Sequence, residues 1–383
     1  MTDSDVRPVT MPKWGLSMRS GKITGWLVAE GDAVEPGGEL ADIDTEKITG
    51  TLEADSGGTI GRLIAKAGED VPVGATIALL TQAEVPGAVL DQLAAQARAV
   101  IDAGLPAGED TGPAVESVTV GGRKVCYAGA GSAGDVVLLV HGFGGDRNSW
   151  LFLQEPLAAR HRVYALDLPG HGTSGKDVGD GSPGLLADAV LGVLDAVAGP
   201  GGGRAHLAGH SLGGAVALAA AARAPERVAS LTLFAPAGFG AEINAGYLRG
   251  FAAARTRREL KPLLGQLFAD PAQVTRQMTD ELLAYKRLDG VDAALTTLAE
   301  MMLDGDAQRI DSVPALRALG GAVPVTVAWG SADQIIPAAQ AAAVTAAAPA
   351  ADSRVIDGAG HMAHMERPGE AQAAIAAAIA RAA

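Results

Sequence analysis

The chain has 383 residues, enough for two or three domains; 48% are hydrophobic but only 4% aromatic, so a large core must be built from small aliphatic side chains. The formal net charge of −14 argues against nucleic acid or an anionic membrane as the main partner. Cys126 is the single cysteine, which rules out an internal disulfide and makes a reducing compartment, the cytoplasm, the expectation. Met1 to Val9 is polar and carries no apolar signal region, and the alanine-rich run from Leu212 to Ala222 is too short to span a membrane.

An internal repeat opens the chain. Ile23, Gly31, Val34, Gly37 and Leu40 recur in order and spacing as Ile60, Gly68, Val71, Gly74 and Ile77. Short β runs alternate with Gly and Asp turns, so the pattern predicts small antiparallel strands folded as two similar halves, a flattened β barrel over residues 8–82. The junction of the halves reads Asp42-Ile43-Asp44-Thr45-Glu46-Lys47-Ile48-Thr49 and places Lys47 at a protruding hairpin among carboxylates. Lys47 reads either as a solvated surface lysine or as a modified one.

The segments M-P-K-W-G-L-S-M at Met11 to Met18, E-G-D-x-V-x-x-G at Glu30 to Gly37 and D-T-E-K at Asp44 to Lys47 resemble a lipoyl domain of 2-oxoacid dehydrogenase complexes. The resemblance implies lipoate in amide linkage on Lys47. Related biotin carriers place Met on both sides of their lysine, whereas Glu46 and Ile48 stand here, so biotin is the weaker reading. Residues 83–113 are expected to be a flexible linker, with Pro86-Gly87, Gly104, Pro106 and Gly108 around a short helix at Val89 to Asp102 whose apolar stripe is Leu90, Leu93, Ala94, Ala97 and Ile101.

A second domain is expected over 114–383. Val115 to Val120, Gly121-Gly122 and Arg123 to Ala128 read as a hairpin; Val136 to Val140 reads as a strand buried on both faces and ends in H-G-F-G-G at His141 to Gly145. Strands and helices then alternate: a strand at Val163 to Leu166 running into D-L-P-G-H-G, a helix at Leu185 to Ala198, a strand at Ala205 to Ala208, and G-H-S-L-G at Gly209 to Gly213 before a helix at Leu212 to Arg223. Val228 to Phe234, Val323 to Trp329 and Arg354 to Ile356 complete an open, mostly parallel sheet, with helices near Ala338 to Ala348 and from Pro368. Phe239 to about Asp311 interrupts the alternation with helices at Glu259 to Phe268, Thr279 to Leu288 and Ala293 to Leu303, a predicted cap over the site.

The three glycine-bearing segments resemble the α/β-hydrolase family over essentially all of Glu116 to Ala383. In that fold the triad runs Ser, then acid, then His. Ser211 in the G-x-S-x-G elbow is the expected nucleophile, Asp333 past the end of a strand the acid, and His361 after Gly358-Ala359-Gly360 the base. The Leu212 N–H at a helix start and the Phe143 N–H at a forced turn are the expected oxyanion donors. His364 competes with His361 and Asp167 with Asp333; Asp333 also reads as a cap of the next helix; His141, His171 and His210 read as structural hydrogen-bonders near the site. No cluster has metal-ligand spacing, so no metal is expected. In the cap, Arg249, Arg255, Arg257, Arg258 and Lys261 read as a solvated helix face or as a site for coenzyme A phosphates, and Met301-Met302 as core or pocket lining.

Together the two parts resemble the dihydrolipoamide acetyltransferase component of acetoin dehydrogenase complexes. The ordinary acyltransferases of 2-oxoacid dehydrogenase complexes carry H-x-x-x-D-G; Asp357-Gly358 here lacks the histidine four residues earlier. The resemblance implies acetyl transfer from lipoyl-lysine to coenzyme A through a Ser-His-Asp site. It also implies two partners, a thiamine-diphosphate dehydrogenase component that loads the arm and a dihydrolipoamide dehydrogenase that reoxidises it. The rival readings are a lipoyl-tethered thioesterase or esterase that uses water, and a scaffold whose serine site is vestigial.

Overall fold

The fold was read from a computed structural model that describes residues 6–12, 20–44, 49–54, 56–83, 85–103, 114–199 and 203–382. The chain divides into two compact units, residues 1–112 and 113–383.

In the first unit the strands are β1 (Val6–Thr10), β2 (Ser20–Trp26), β3 (Ala33–Val34), β4 (Glu39–Asp44), β5 (Thr49–Glu53), β6 (Gly58–Leu63), β7 (Asp70–Pro72) and β8 (Thr76–Thr81). They form two four-stranded sheets, ordered β1-β8-β6-β3 and β5-β4-β2-β7, with every pairing antiparallel. The sequence repeat is the physical basis of this symmetry. Ile23, Leu40, Ile60, Val71 and Ile77 are all buried. The paired turn glycines Gly31 and Gly68 share φ of 93° and 87°, a left-handed conformation that costs a residue with a Cβ far more. Lys47, with Thr45, Glu46 and Ile48, lies outside the described residues, as does most of the M-P-K-W-G-L-S-M segment. The β4–β5 ladder closes with Asp44 opposite Thr49, so residues 45–48 connect two adjacent strands.

Helix α1 (Gly87–Ala103) corrects the expectation of a short helix within a tether starting at residue 83. It spans 17 residues and packs on the first unit: Leu90 and Ile101 are buried in the cluster that holds Ile23, Ile43 and Ile77. Arg62 Nε donates to Asp91 at 2.9 Å, and Arg98 pairs with both Glu69 and Asp102. The apolar stripe was visible in the sequence; the surface that covers it was not. Residues 104–113 lie outside the described residues.

The second unit begins with the hairpin β9 (Val115–Val120) and β10 (Arg123–Ala130), followed by β11 (Val136–Val140), α2 (Leu151–Ala158), β12 (Arg162–Asp167), α3 (Pro183–Ala198), β13 (Ala205–His210), α4 (Leu212–Arg223) and β14 (Val228–Phe234). Helices α5 (Ala245–Ala253), α6 (Arg257–Gly265), α7 (Arg276–Lys286) and α8 (Val291–Met302) follow, then the short hairpin β15 (Leu303–Asp304) and β16 (Ala307–Gln308). The remainder is α9 (Val313–Ala318), β17 (Val325–Gly330), α10 (Ala341–Ala347), β18 (Asp352–Ile356), α11 (Ala363–Glu366) and α12 (Pro368–Ala380). Of these, α2, α5, α9, α11 and the β15–β16 hairpin were not anticipated; in α5 the alanine and glycine content hides an apolar face of Tyr247, Leu248 and Phe251.

The main sheet has eight strands in the order β18-β17-β14-β13-β11-β12-β10-β9, parallel from β18 through β12 and antiparallel at the β10–β9 edge. Side chains alternate between its faces. Val136, Leu138 and Val140 of β11 enter the larger core with α3 and α4, while Val137 and Leu139 enter a second core with Trp150, Leu153 and Ile375. Both faces are covered, which explains the unbroken apolar run in β11. The strand order reverses at β11, with β12 on one side and β13 on the other, and a crevice opens beyond the carboxyl ends of strands at such a point.

Candidate active site

Ser211 stands at the end of β13, next to that reversal. Its backbone is strained, with φ 54° and ψ −120°, and is held in place on several sides. Its N–H donates to Phe234 O at 2.9 Å, and its carbonyl accepts from Gly214, Ala215 and Ala237. The turn needs bare backbone on both flanks: a Cβ on Gly209 would meet Gly213 O at 2.4 Å, and one on Gly213 would meet His141 O at 2.2 Å. The Leu212 N–H therefore opens α4 in the first turn, where helical N–H groups have no intrahelical acceptor.

The loop after β11 lies across from this turn. Gly144 N–H donates to His171 Nε2 at 3.0 Å and Gly145 N–H to Gly142 O at 3.2 Å, while the Phe143 N–H takes no partner among the described residues. A Cβ on Gly142 would meet Ser211 Cβ at 3.0 Å, so the two loops touch.

Asp333 and His361 are brought together by two loops stitched at their backbones. Ser331 N–H donates to Ile356 O at 3.0 Å, Ala332 N–H to Ala359 O at 2.9 Å and Gly358 N–H to Ser331 Oγ at 2.9 Å. A Cβ on Gly330 would meet Gly360 O at 2.1 Å, so the approach requires glycine. His361 Nδ1 lies 2.8 Å from Asp333 Oδ2. The Asp333 carboxylate also accepts from the N–H groups of Ile335 and Ile336 at 2.8 and 3.0 Å and from Trp329 Nε1 at 3.2 Å. Contrary to the capping reading, Asp333 does not cap the next helix: the next helical turn, Ala338–Gln340, has Pro337 at its N-cap with no side-chain bond, so one Asp333 oxygen braces its own loop and the other faces the imidazole. His210 Nε2 donates to the His361 carbonyl at 2.9 Å and its ring lies 4.6 Å from the His361 ring.

The competing residues are placed elsewhere. Asp167 is fully buried against Arg147, and also accepts from the Arg147 and Thr173 N–H groups at 2.9 and 2.8 Å. Burial alone would raise its pKa, but Arg147 and these donors outweigh it and hold the carboxyl below the ordinary range. His364 packs between the rings of Trp150 and His210, each 4.5 Å away, behind the site. His141 Nε2 accepts from Leu168 N–H at 3.0 Å. Burial pushes His141, His171, His210 and His364 below the usual imidazole value, His171 and His364 to about 3.

Ser211, His361 and Phe143 line one cavity of about 270 Å³ under the cap. Its walls are apolar: Tyr247, Phe251, Leu264, Phe268, Met278 and Met302 among them. Met302 is buried and Met301 packs partly buried beside it. The cap is seated by Tyr285 Oη donating to Gly170 O at 2.5 Å and by Glu366, whose carboxylate accepts from Gly360 and Ala269 N–H groups at 2.8 and 2.9 Å. Glu366 was not singled out in the sequence; it makes no motif and matters only because cap and imidazole loop meet there. Two further acids, Asp146 and Glu281, line the cavity. Burial and then the Asp167 charge raise Asp146, and burial and then Asp146 raise Glu281 to about 7. Among the described residues no group of three or more His, Cys, Asp and Glu could hold a metal ion, and no helix is long and apolar enough to cross a membrane.

Residues 135–368 match the family described as alpha/beta hydrolase fold, and residues 7–80 match the family described as biotin-requiring enzyme, which includes lipoyl attachment domains. A solved meta-cleavage product hydrolase from Pseudomonas fluorescens superimposes with a TM-score of 0.61 at 21% identity, covering 70% of this chain and 98% of that one, which is a likeness of fold. The dihydrolipoyllysine-residue acetyltransferase component of the acetoin cleaving system of Pseudomonas putida is 46% identical over 95% of both chains, and that of Cupriavidus necator is 44% identical over 94% of both. A lipoyl domain followed by an α/β-hydrolase-fold enzyme domain, alike over nearly the full length of both relatives, makes this chain a member of the family of dihydrolipoyllysine-residue acetyltransferase components of acetoin cleaving systems.

Proposed function

We propose that Ser211, His361 and Asp333 carry out the acetyl transfer, from a lipoyl group on Lys47 to the thiol of coenzyme A. The observation that carries this reading is the 2.8 Å contact of His361 Nδ1 with Asp333, on an imidazole that shares a cavity wall with Ser211. The β4–β5 register supports the attachment site, because it makes residues 45–48 a connection at the end of a ladder, the place for an arm that must reach into another protein surface. Bound lipoate would supply a thiol that carries the acyl group as a thioester on a long chain.

Ser211 Oγ attacks the thioester carbonyl while its proton passes to His361 Nε2, and Asp333 steadies the imidazolium. The Leu212 and Phe143 N–H groups stabilise the oxyanion. The departing thiolate takes the proton from His361, leaving an ester on Ser211. The coenzyme A thiol then gives its proton to His361 and attacks that ester, and Ser211 Oγ leaves with the proton. The many apolar residues in the cavity wall support a thiol over water, the competing acceptor. A thiamine-diphosphate dehydrogenase component that acylates the arm and a dihydrolipoamide dehydrogenase that reoxidises it complete the cycle. Carriage of the arm on the same chain raises its local concentration.

The test combines intact mass with product analysis. Wild-type protein co-expressed with a lipoyl ligase gains one lipoyl group and Lys47→Arg gains none. Ser211→Ala lowers acetyl transfer from acetyl-dihydrolipoamide by a factor of about a thousand or more. Undiminished transfer by Ser211→Ala would sink the mechanism, and acetate in place of acetyl-coenzyme A would make water the acceptor.

A further inference from the structure

The five basic residues of the cap do not form one cluster. Arg249 pairs with Asp306 at 2.6 Å, Arg255 with Asp292 at 2.8 Å, and Arg257 donates to Asp280 through Nε at 2.9 Å. Arg258 and Lys261 are exposed and form no ion pair among the described residues. With Arg257 they line an open groove of about 710 Å³, closed on its other sides by Gly265, Pro271 and Gln334. The groove and the Ser211 cavity share walls. Leu264 and Leu267 line the cavity, while Lys261 and Gly265 line the groove, so α6 and the turn after it divide the two. Gln334 lines the groove between Asp333, which holds His361, and Ile335, which lines the cavity.

We infer that this groove holds the phosphate-bearing nucleotide end of coenzyme A, while its neutral thiol arm passes around the α6 edge to Ser211. The inference rests on coenzyme A being the acceptor, as proposed above. An acceptor of this chemistry has one end that can enter an apolar cavity and one that cannot. The described residues that line the cavity include two carboxyls, Asp146 and Glu281, and no Lys or Arg to pair with an anion. The phosphates must therefore stay outside, within reach of the cavity, and on cations not already neutralised. Arg258 and Lys261 meet all three conditions in a chain whose overall charge is −14. Guanidinium and ammonium donors bind phosphate oxygens through charge-assisted hydrogen bonds, which weaken with salt where exposed.

Titration calorimetry on the full chain tests this, with coenzyme A and with adenosine 3′,5′-bisphosphate as probes. Expected results are competition between the two, weaker binding of dephospho-coenzyme A, a Kd raised at least tenfold by Arg258→Glu with Lys261→Glu, and less than a twofold change from Arg249→Glu, which removes equal charge per residue elsewhere on the cap. If coenzyme A binds the double variant as tightly as wild type, the groove is wrong and the acceptor assignment stands. If Arg249→Glu weakens binding as much as the double variant does per charge, general electrostatics replaces the groove. If coenzyme A binds neither protein and only acetate forms, both readings fall.

Discussion

Asp333 illustrates how much one side chain can be asked to do. Oδ1 takes two backbone donors that fix the loop, and Oδ2 faces His361 Nδ1 and the Trp329 indole. Asparagine in its place keeps an oxygen for Ile335 and Ile336 but loses the charge that steadies an imidazolium. Asp333→Asn is therefore expected to fold with little change in Tm and to lose about three to four orders of magnitude in kcat, the scale seen when a triad aspartate becomes an amide. A variant that keeps more than a tenth of wild-type kcat would remove Asp333 from the mechanism. At this scale the sequence was legible wherever chain order mattered. Ser211, Asp333 and His361 each follow the end of a strand in the expected order, and Asp167 carries little weight because it sits in a Gly-Pro loop. Asp146 and Glu281 were not legible, because one comes from the loop after β11 and the other from α7, and only the cap brings both to the same cavity.

Among the elements, periodicity and turn residues set most boundaries to within a few positions, and α4 at Leu212–Arg223 coincides with its prediction because Ser211 and Pro225 bracket it. What periodicity leaves open is the partner of an apolar face. Helix α1 shows this: its stripe fits a tether helix as well as a docked one, and the choice depends on Arg98 reaching Glu69 and on Leu90 entering the barrel core. Leu90 is 7% exposed. Leu90→Ala is expected to destabilise the first unit by about 2–4 kcal/mol, the range for truncating a buried leucine, whereas a helix free of the barrel would show no loss. Urea unfolding followed through Trp26, which is partly buried against the same cluster, reads the difference.

Charge and titration divide unevenly over the whole molecule, and this gives the two units different responses to acid. Residues 1–112 hold eight Lys and Arg against eighteen Asp and Glu and no histidine; all seven histidines lie in residues 113–383. Five of them, His141, His171, His206, His210 and His364, are buried with depressed pKa values. The unfolded chain binds protons at these sites near pH 6.5 and the folded one does not, so their contribution is complete above about 6.5 and is lost as pH falls toward the folded values. Between pH 7.5 and 5.5 His171 and His364, both held near 3, together cost the second unit about 3 kcal/mol, a fall in Tm on the order of 5 °C, and the other three act in the same direction. The first unit has a later window. Its Glu69 carboxyl is lowered to about 2, first by its hydrogen bond with Arg98, so the stability from that pair is present above about 4.5 and is lost only as pH falls toward 2. Each unit has its own core, so calorimetry should resolve two transitions, with Leu90→Ala marking the one that belongs to residues 1–112. Acidification to pH 5.5 should move the other transition and leave the marked one within a degree or two. Equal shifts in both would mean that the buried imidazoles accept protons in the folded state, and the neutral hydrogen-bonded frame around His361 would have to be abandoned.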